Sequence, residues 1–255
     1  GKRKIKINKM KHNFGFTFGR TEEGDNRDYE DLLKRLEEQE KKKEREPEGE
    51  KEIPKTNSKP KIINSSDFWK IEGVNYNGKK RIYELKKELI PKATQDDLTK
   101  LSKTSRENKC FYVGDSRLHY AIFKAVKESG NTDVRDFLKE KLRDNYSMTL
   151  TRIKYNKAND ETIHNYKQKD QHSLAGRIVG PDRFIENGDK NSLKILLGTE
   201  DIDEINSVSE FINGTKTYIF RVNSIPNNLD ERVVRFYANS GSLSVNCYRD
   251  PSDDD

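Results

Sequence analysis

Ser116 stands directly after Gly114-Asp115, behind the short apolar run Phe111-Tyr112-Val113 and ahead of a helical pattern. A serine at such a junction can act as a nucleophile when a histidine base reaches it. The chain carries four histidines, His12, His119, His164 and His172. None has HExxH or other paired-ligand spacing, so they define no metal site. His119 falls within an amphipathic helical pattern, where packing or surface placement accounts for it. Asp115 or Ser116 serving as a helix N-cap explains the Gly-Asp-Ser string with no chemistry at all. Asp201-Ile202-Asp203-Glu204 is dense in carboxylate, but it opens another helical pattern, where acids complement the macrodipole. There is no GxGxxG and no P-loop. Two cysteines, Cys110 and Cys247, are too few for a disulfide scaffold or a cysteine zinc site. They read as structural thiols, with a single long-range disulfide as the alternative. These residues point to a binding protein rather than an enzyme, with no cofactor.

One string is enzyme-like. Phe111-Tyr112-Val113-Gly114-Asp115-Ser116 resembles the first block of the GDSL hydrolases, which implies Ser116 as nucleophile. That family takes its histidine from a late Asp-x-x-His block; here Asp160…His164 has one residue too many and lies mid-chain. The cap reading is therefore preferred, and a Ser116 hydrolase is the least favoured of three functional readings.

The last twenty residues differ in composition from the rest. Lys, Glu, Gln, Met and Trp make up 63 of the 255 residues, yet none occurs from Phe236 to Asp255. Every residue type present there can be encoded by a codon ending in a pyrimidine, and the five missing types cannot. Randomising the first two bases of asparagine codons leaves such a pattern. Leu243, Val245 and Cys247 alternate with Ser242, Ser244, Asn246 and Tyr248, and Val234, Phe236 and Ala238 alternate with Arg235, Tyr237 and Asn239. Two strands with this pattern put the first set of each toward a core and the second set on one outward face. Tyr with Ser, Gly and Asn is the mixture antibody loops use for adaptable contact. An ordinary half-exposed sheet ending in a frayed acidic tail is the alternative.

The elements that must hold this face read as follows. Residues 1–20 carry seven Lys/Arg and no acid, with the alternation Phe14-Gly15-Phe16-Thr17-Phe18. They read as a flexible tail or edge strand, or as a basic arm whose aromatics stack on nucleic acid. Residues 28–46 read as a short solvated helix, with Leu32, Leu33 and Leu36 as its stripe. Pro47, Pro54 and Pro60 then mark a linker. The folded domain is expected to begin near Ile62, leaving 1–60 as a charged, flexible segment and 61–255 as one domain. Lys79–Leu89 is periodic, with Ile82, Leu85 and Leu89 on one face. Helices are expected at Gln95–Ser102, Ser116–Ser129 (stopped by Gly130), Val134–Arg143 (capped by Asp133 or Thr132), Asn191–Leu197 and Ile202–Ile212. Gly198 and Gly214 suit the last two C-caps. Met148–Tyr155 alternates as a half-buried strand, and Thr217–Val222, Val233–Ala238 and Ser242–Tyr248 are further strands. Helices segregated before strands argue α+β, with a small mixed or antiparallel sheet. With 31% hydrophobic and 37% charged residues, part of the chain lies outside any core. Its net charge of +6 comes from interspersed charges of both signs, a soluble surface rather than a nucleic-acid signature. No apolar run suits a membrane helix and no leader is visible; Gly1 reads as a trimmed start.

Asp230-Glu231-Arg232-Val233-Val234-Arg235-Phe236-Tyr237-Ala238, followed by Cys247-Tyr248-Arg249-Asp250-Pro251-Ser252, resembles the variable-region segment of archaeal diversity-generating-retroelement variable proteins. Leu150-Thr151-Arg152-Ile153, Ile163-His164-Asn165-Tyr166, Ile178–Arg183 and Thr217–Arg221 are similar to the same proteins, in the same order, and the likeness covers roughly residues 110–255. It implies a C-type-lectin-like fold, related to formylglycine-generating-enzyme domains, that displays hypervariable side chains to a macromolecular ligand, most naturally a protein. The implied ligand-binding positions are Tyr237, Asn239, Ser240, Ser242, Ser244, Asn246, Tyr248, Asp250, Ser252, Asp253, Asp254 and Asp255. Such proteins continue into a closing strand, whereas this sequence stops at Asp255: either it is cut short before that strand or the closing element is absent, which would leave an unpaired strand edge at the binding face. The calcium motifs of sugar-binding lectins are missing. The second functional reading is nucleic-acid association through residues 2–20.

Overall fold

The computed structural model describes residues 13–20, 59–107, 111–143 and 145–252. In chain order its strands are β1 (Asn13–Gly15), β2 (Phe18–Arg20), β3 (Lys61–Asn64), β4 (Phe68–Tyr76), β5 (Lys79–Lys86), β6 (Ile90–Pro91), β7 (Tyr146–Tyr155), β8 (Asp160–His164), β9 (His172–Gly176), β10 (Arg183–Phe184), β11 (Thr217–Phe220), β12 (Asp230–Ala238) and β13 (Leu243–Arg249). Its helices are α1 (Gln95–Glu107), α2 (Ser116–Ser129), α3 (Thr132–Leu142), α4 (Lys190–Leu197) and α5 (Ile202–Asn213). The fold class is α+β, with two sheets. The larger runs β10-β11-β13-β12-β7-β1-β6, with β8 and β9 added beside β7; the smaller runs β2-β5-β4-β3.

The expected boundary near Ile62 is corrected. Phe16 and Phe18 are fully buried and Phe14 nearly so. Phe16 meets Phe14, His119 and Phe137, and Phe18 packs edge-on to His119. β1 lies parallel to β7 in the large sheet, and β2 pairs with β5 in the small one. Residues 13–20 thus tie the two sheets together, and their three aromatics form core rather than a stacking platform. The expected helix at 28–46 lies outside the described residues, as does most of the proline-marked linker.

Lys79–Leu89 is not one helical face. Asn77 and Gly78 both take positive φ, 52° and 76°, the backbone of a tight hairpin turn between β4 and β5. Ile82 and Leu85, three residues apart, both reach core, but on opposite faces of a strand. The helices answer to local signals. Asp115 caps α2 by accepting from the Leu118 amide at 2.8 Å, and Gly130 ends it in the left-handed conformation. The N-cap of α3 is Asn131, ahead of both expected residues, and accepts from Val134 N.

β7 is buried on both faces, not one. β12 runs along one edge of it, and β1 and β8 share the other. Between those two short partners, Gln95 Nε2 bridges the Thr149 and Thr151 carbonyls at 3.0 and 2.9 Å. One side of the sheet packs on α2, α3 and α5 through Val234, Phe236, Leu243, Val245 and Cys247. The other side of β7 has a smaller core, where Met148, Leu150 and Val233 meet Leu98 of α1. That second core explains why Met148 and Leu150 are dry.

Candidate functional site on the C-terminal sheet face

The alternation in the last strands places their side chains. Val234, Phe236, Ala238, Leu243, Val245 and Cys247 are buried in the main core. Tyr237 stands opposite Ser244 on β13 and Tyr146 on β7. Ser244 in turn stands beside Tyr218 of β11, and Tyr218 opposite Phe184 of β10. Residues in register share a face, so Phe184, Tyr218, Ser244, Tyr237 and Tyr146 form one transverse row. Crossing five strands at about 4.8 Å each, it is about 19 Å long. The next row is Phe220, Asn246, Arg235 and Met148.

The row has a dry end and an open end. Tyr237 is only 7% exposed, because its ring stacks on Tyr146 at 4.7 Å. The Arg235 guanidinium lies over the same Tyr146 ring, 3.5 Å from its centre. At the other end Phe184 is 50% exposed. It meets Tyr218 edge-on at 5.2 Å, and Tyr218 meets Phe220 at 4.8 Å. Between the tyrosines sits Ser244, fully buried, its Oγ 2.9 Å from that of Ser242.

Several expected contact residues are corrected by this geometry. Tyr237, Ser242 and Ser244 have the expected facing but are buried, since neighbouring strands on both sides shelter them. Asn239 is a turn residue: its Oδ1 accepts from the Gly241 and Ser242 amides, both at 2.8 Å. Asn213, at the end of α5, grips the same turn by donating to the Asn239 and Ser242 carbonyls. Ser240 is exposed at the tip and Asn246 half-buried. The strict alternation holds through Cys247 and stops there, because a register shift sets Arg249, not Tyr248, opposite Val233. Tyr248 is nonetheless 60% exposed. Asp250 and Ser252 are exposed. The Ser252 hydroxyl and amide both donate to Asp250, which holds that carboxyl below its ordinary range. Asp253, Asp254 and Asp255 lie outside the described residues. β13 is paired on both sides, by β12 and β11.

Phe184, Tyr218, Phe220 and Tyr146 were missed as members of this face. Tyr218 and Phe220 alternate with buried Thr217 and Ile219, a pattern visible in the sequence. Nothing local reveals that β11 lies parallel to β13. The open edge is braced from the opposite side by Asp189. Burial works against its charge, but hydrogen bonds from Arg183 and the Glu186 amide, with Arg221 beside it, bring its pKa below the ordinary value. Arg221 reaches it at 2.9 Å.

The enzyme-like residues are committed elsewhere. Ser116 is fully buried; its hydroxyl donates to the Leu196 carbonyl at 2.6 Å and meets Thr151 Oγ1 at 3.0 Å. His164 joins the same network through Thr151 and the Ile195 carbonyl. Burial lowers the pKa of both His164 and His119 to about 4. Asp160 accepts from the Ile178 amide and Arg177. Asp201 caps α5 by accepting from Glu204 N. No group of three potential metal ligands occurs among the described residues. Cys247 is a buried free thiol, pushed up to about 12 by burial; Cys110 lies outside the described residues. No helix among the described residues is long and apolar enough to cross a membrane.

No protein-family model, no curated protein and no solved structure matches this chain.

Proposed function

We propose that the chain is a non-enzymatic display protein that binds another protein through the outward face of β10, β11, β13 and β12. One observation carries the reading. Polar and aromatic side chains on that face lie in register across a sheet whose opposite face is dry and helix-backed. Such a backing lets outward residues change without disturbing the core that holds them. Tyr, Ser and Asn supply contact area and adaptable hydrogen bonds at low entropic cost. In this reading the scaffold is C-type-lectin-like, and residues 236–255 are diversified in the manner of retroelement variable proteins. Ser240, Asn246, Tyr248, Asp250 and Ser252 are the changeable contacts. Phe184, Tyr218 and Phe220 form a constant aromatic border, since they lie outside the compositionally biased stretch.

A photo-crosslinking residue at Tyr248, with a control at Glu140 on α3, tests the reading in extracts of the source cells. The expected result is a discrete protein adduct from position 248 alone, weakened by Phe184→Ala. Adducts of equal yield from both positions, or none from position 248, would overturn it.

The nucleic-acid reading loses its stacking residues, because Phe14, Phe16 and Phe18 are core. Its basic residues 2–12 lie outside the described residues.

A further inference from the structure

A cleft of about 510 Å³ opens between the outer side of α2 and the β4–β5 hairpin. Its residues are not shared with the C-terminal face. Its lining includes four lysines, Lys59, Lys80, Lys124 and Lys127, against the single acid Glu128. Lys124 is bound by Glu204 at 2.5 Å, with Glu128 at 3.9 Å. Lys59, Lys80 and Lys127 have no ion pair among the described residues.

The shape has a local cause. The register of β4 against β5 shifts between Ile71 and Val74, and Gly73 within the shift takes φ +82°. Such a bulge bends a strand and re-aims its side chains. Here Asn75 and Lys80, paired across the hairpin, form one wall. The floor is Ala121 and Ala125 of α2, one turn apart on the same helix face. Small residues on the floor admit a ligand to the level of the lysine stems. The volume is that of a small-molecule site.

We infer that this cleft binds a compact, multiply charged oxyanion, of the kind a phosphate-bearing small molecule presents. Like-charged lysines around one concavity repel one another and gain when an anion enters. Glu128 at the wall disfavours an extended polyanion, whose charge would have to pass it.

Calorimetric titration of the full chain with inorganic tripolyphosphate at low salt tests the assignment. Saturable one-site binding is expected, weakened about tenfold or more, equivalent to about 1.4 kcal/mol, by the double variant Lys80→Gln/Lys127→Gln. Lys80 is exposed and Lys127 half-buried, and circular dichroism checks that the variant is folded. The charge-matched control Lys139→Gln/Lys157→Gln should bind as the parent does. The assignment is overturned by the absence of saturable heat. It is overturned equally by the same loss in both double variants, or by binding of short duplex DNA without binding of tripolyphosphate.

Discussion

Ser116 shows how much a residue's surroundings decide. In sequence it sits where a nucleophile could sit; in the fold its hydroxyl satisfies the end of α4, 80 residues away. Ser116→Ala leaves the Leu196 carbonyl without that donor and should lower stability by about 1–3 kcal/mol, measured by urea unfolding. His119 and His164 make a pH-dependent contribution. Their folded pKa values, about 4, lie below the ordinary 6.5. Between these values the unfolded chain takes up protons that the folded chain refuses. Stability should therefore be full above about pH 6.5 and fall as the pH drops toward about 4. His119→Leu should flatten this slope in melting curves recorded across that range, and an unchanged slope would show that His119 does not contribute. At the C-terminal face, Tyr248→Ala should leave the melting temperature unchanged. Tyr237→Ala, which exposes the Tyr146 ring, should lower stability by about 1–3 kcal/mol. The facing of Tyr237, Ser244 and Asn246 was legible from period-two alternation alone. Their burial was not, because it depends on Tyr146 and Tyr218, which come from strands far away in sequence.

Among elements, those with local punctuation were readable and those without it were not. α2 carries its Asp115 cap and Gly130 stop in sequence, and both act as such. β4 and β5 were obscured because Ile82 and Leu85 mimic a helical spacing; the Asn77-Gly78 pair was the better signal. β1 and β2 were hidden by their basic neighbours. Three alternating phenylalanines fit an edge strand, a flexible tail or a stacking arm equally until the topology supplies β7 and β5 to pair with them. Phe16→Ala should cost about 3–5 kcal/mol, whereas the same change in a loose tail would cost nothing; thermal denaturation separates the two. Gly180 tests the brace of the outer strands. A Cβ built there would lie 2.6 Å from the Arg221 guanidinium carbon. Gly180→Ala should therefore push Arg221 off Asp189 and destabilise the fold by about 1–3 kcal/mol.

At the scale of the molecule, the large sheet brings the C-terminal strands to a protected place. β13, near the end of the described chain, is flanked by β11 and β12, and β12 by β7. A strand in that position left without a neighbour would be exposed as an edge and prone to mispairing. Here its backbone bonds are made on both sides, and its apolar half is locked against α2 and α5. Under the proposed reading, the outward side chains are the ones free to vary, beside the aromatic border of Phe184, Tyr218 and Phe220. The most direct test is to sequence the coding segment for residues 236–255 across a population of the source cells. The account predicts substitutions concentrated at the codons of Ser240, Asn246, Tyr248, Asp250 and Ser252, with Ser242 and Ser244 restricted to small residues. The codons of Phe236, Leu243, Val245 and Cys247 should stay constant. A segment no more variable than the codons for residues 111–235, or one whose core codons vary as freely as its outward ones, would contradict it.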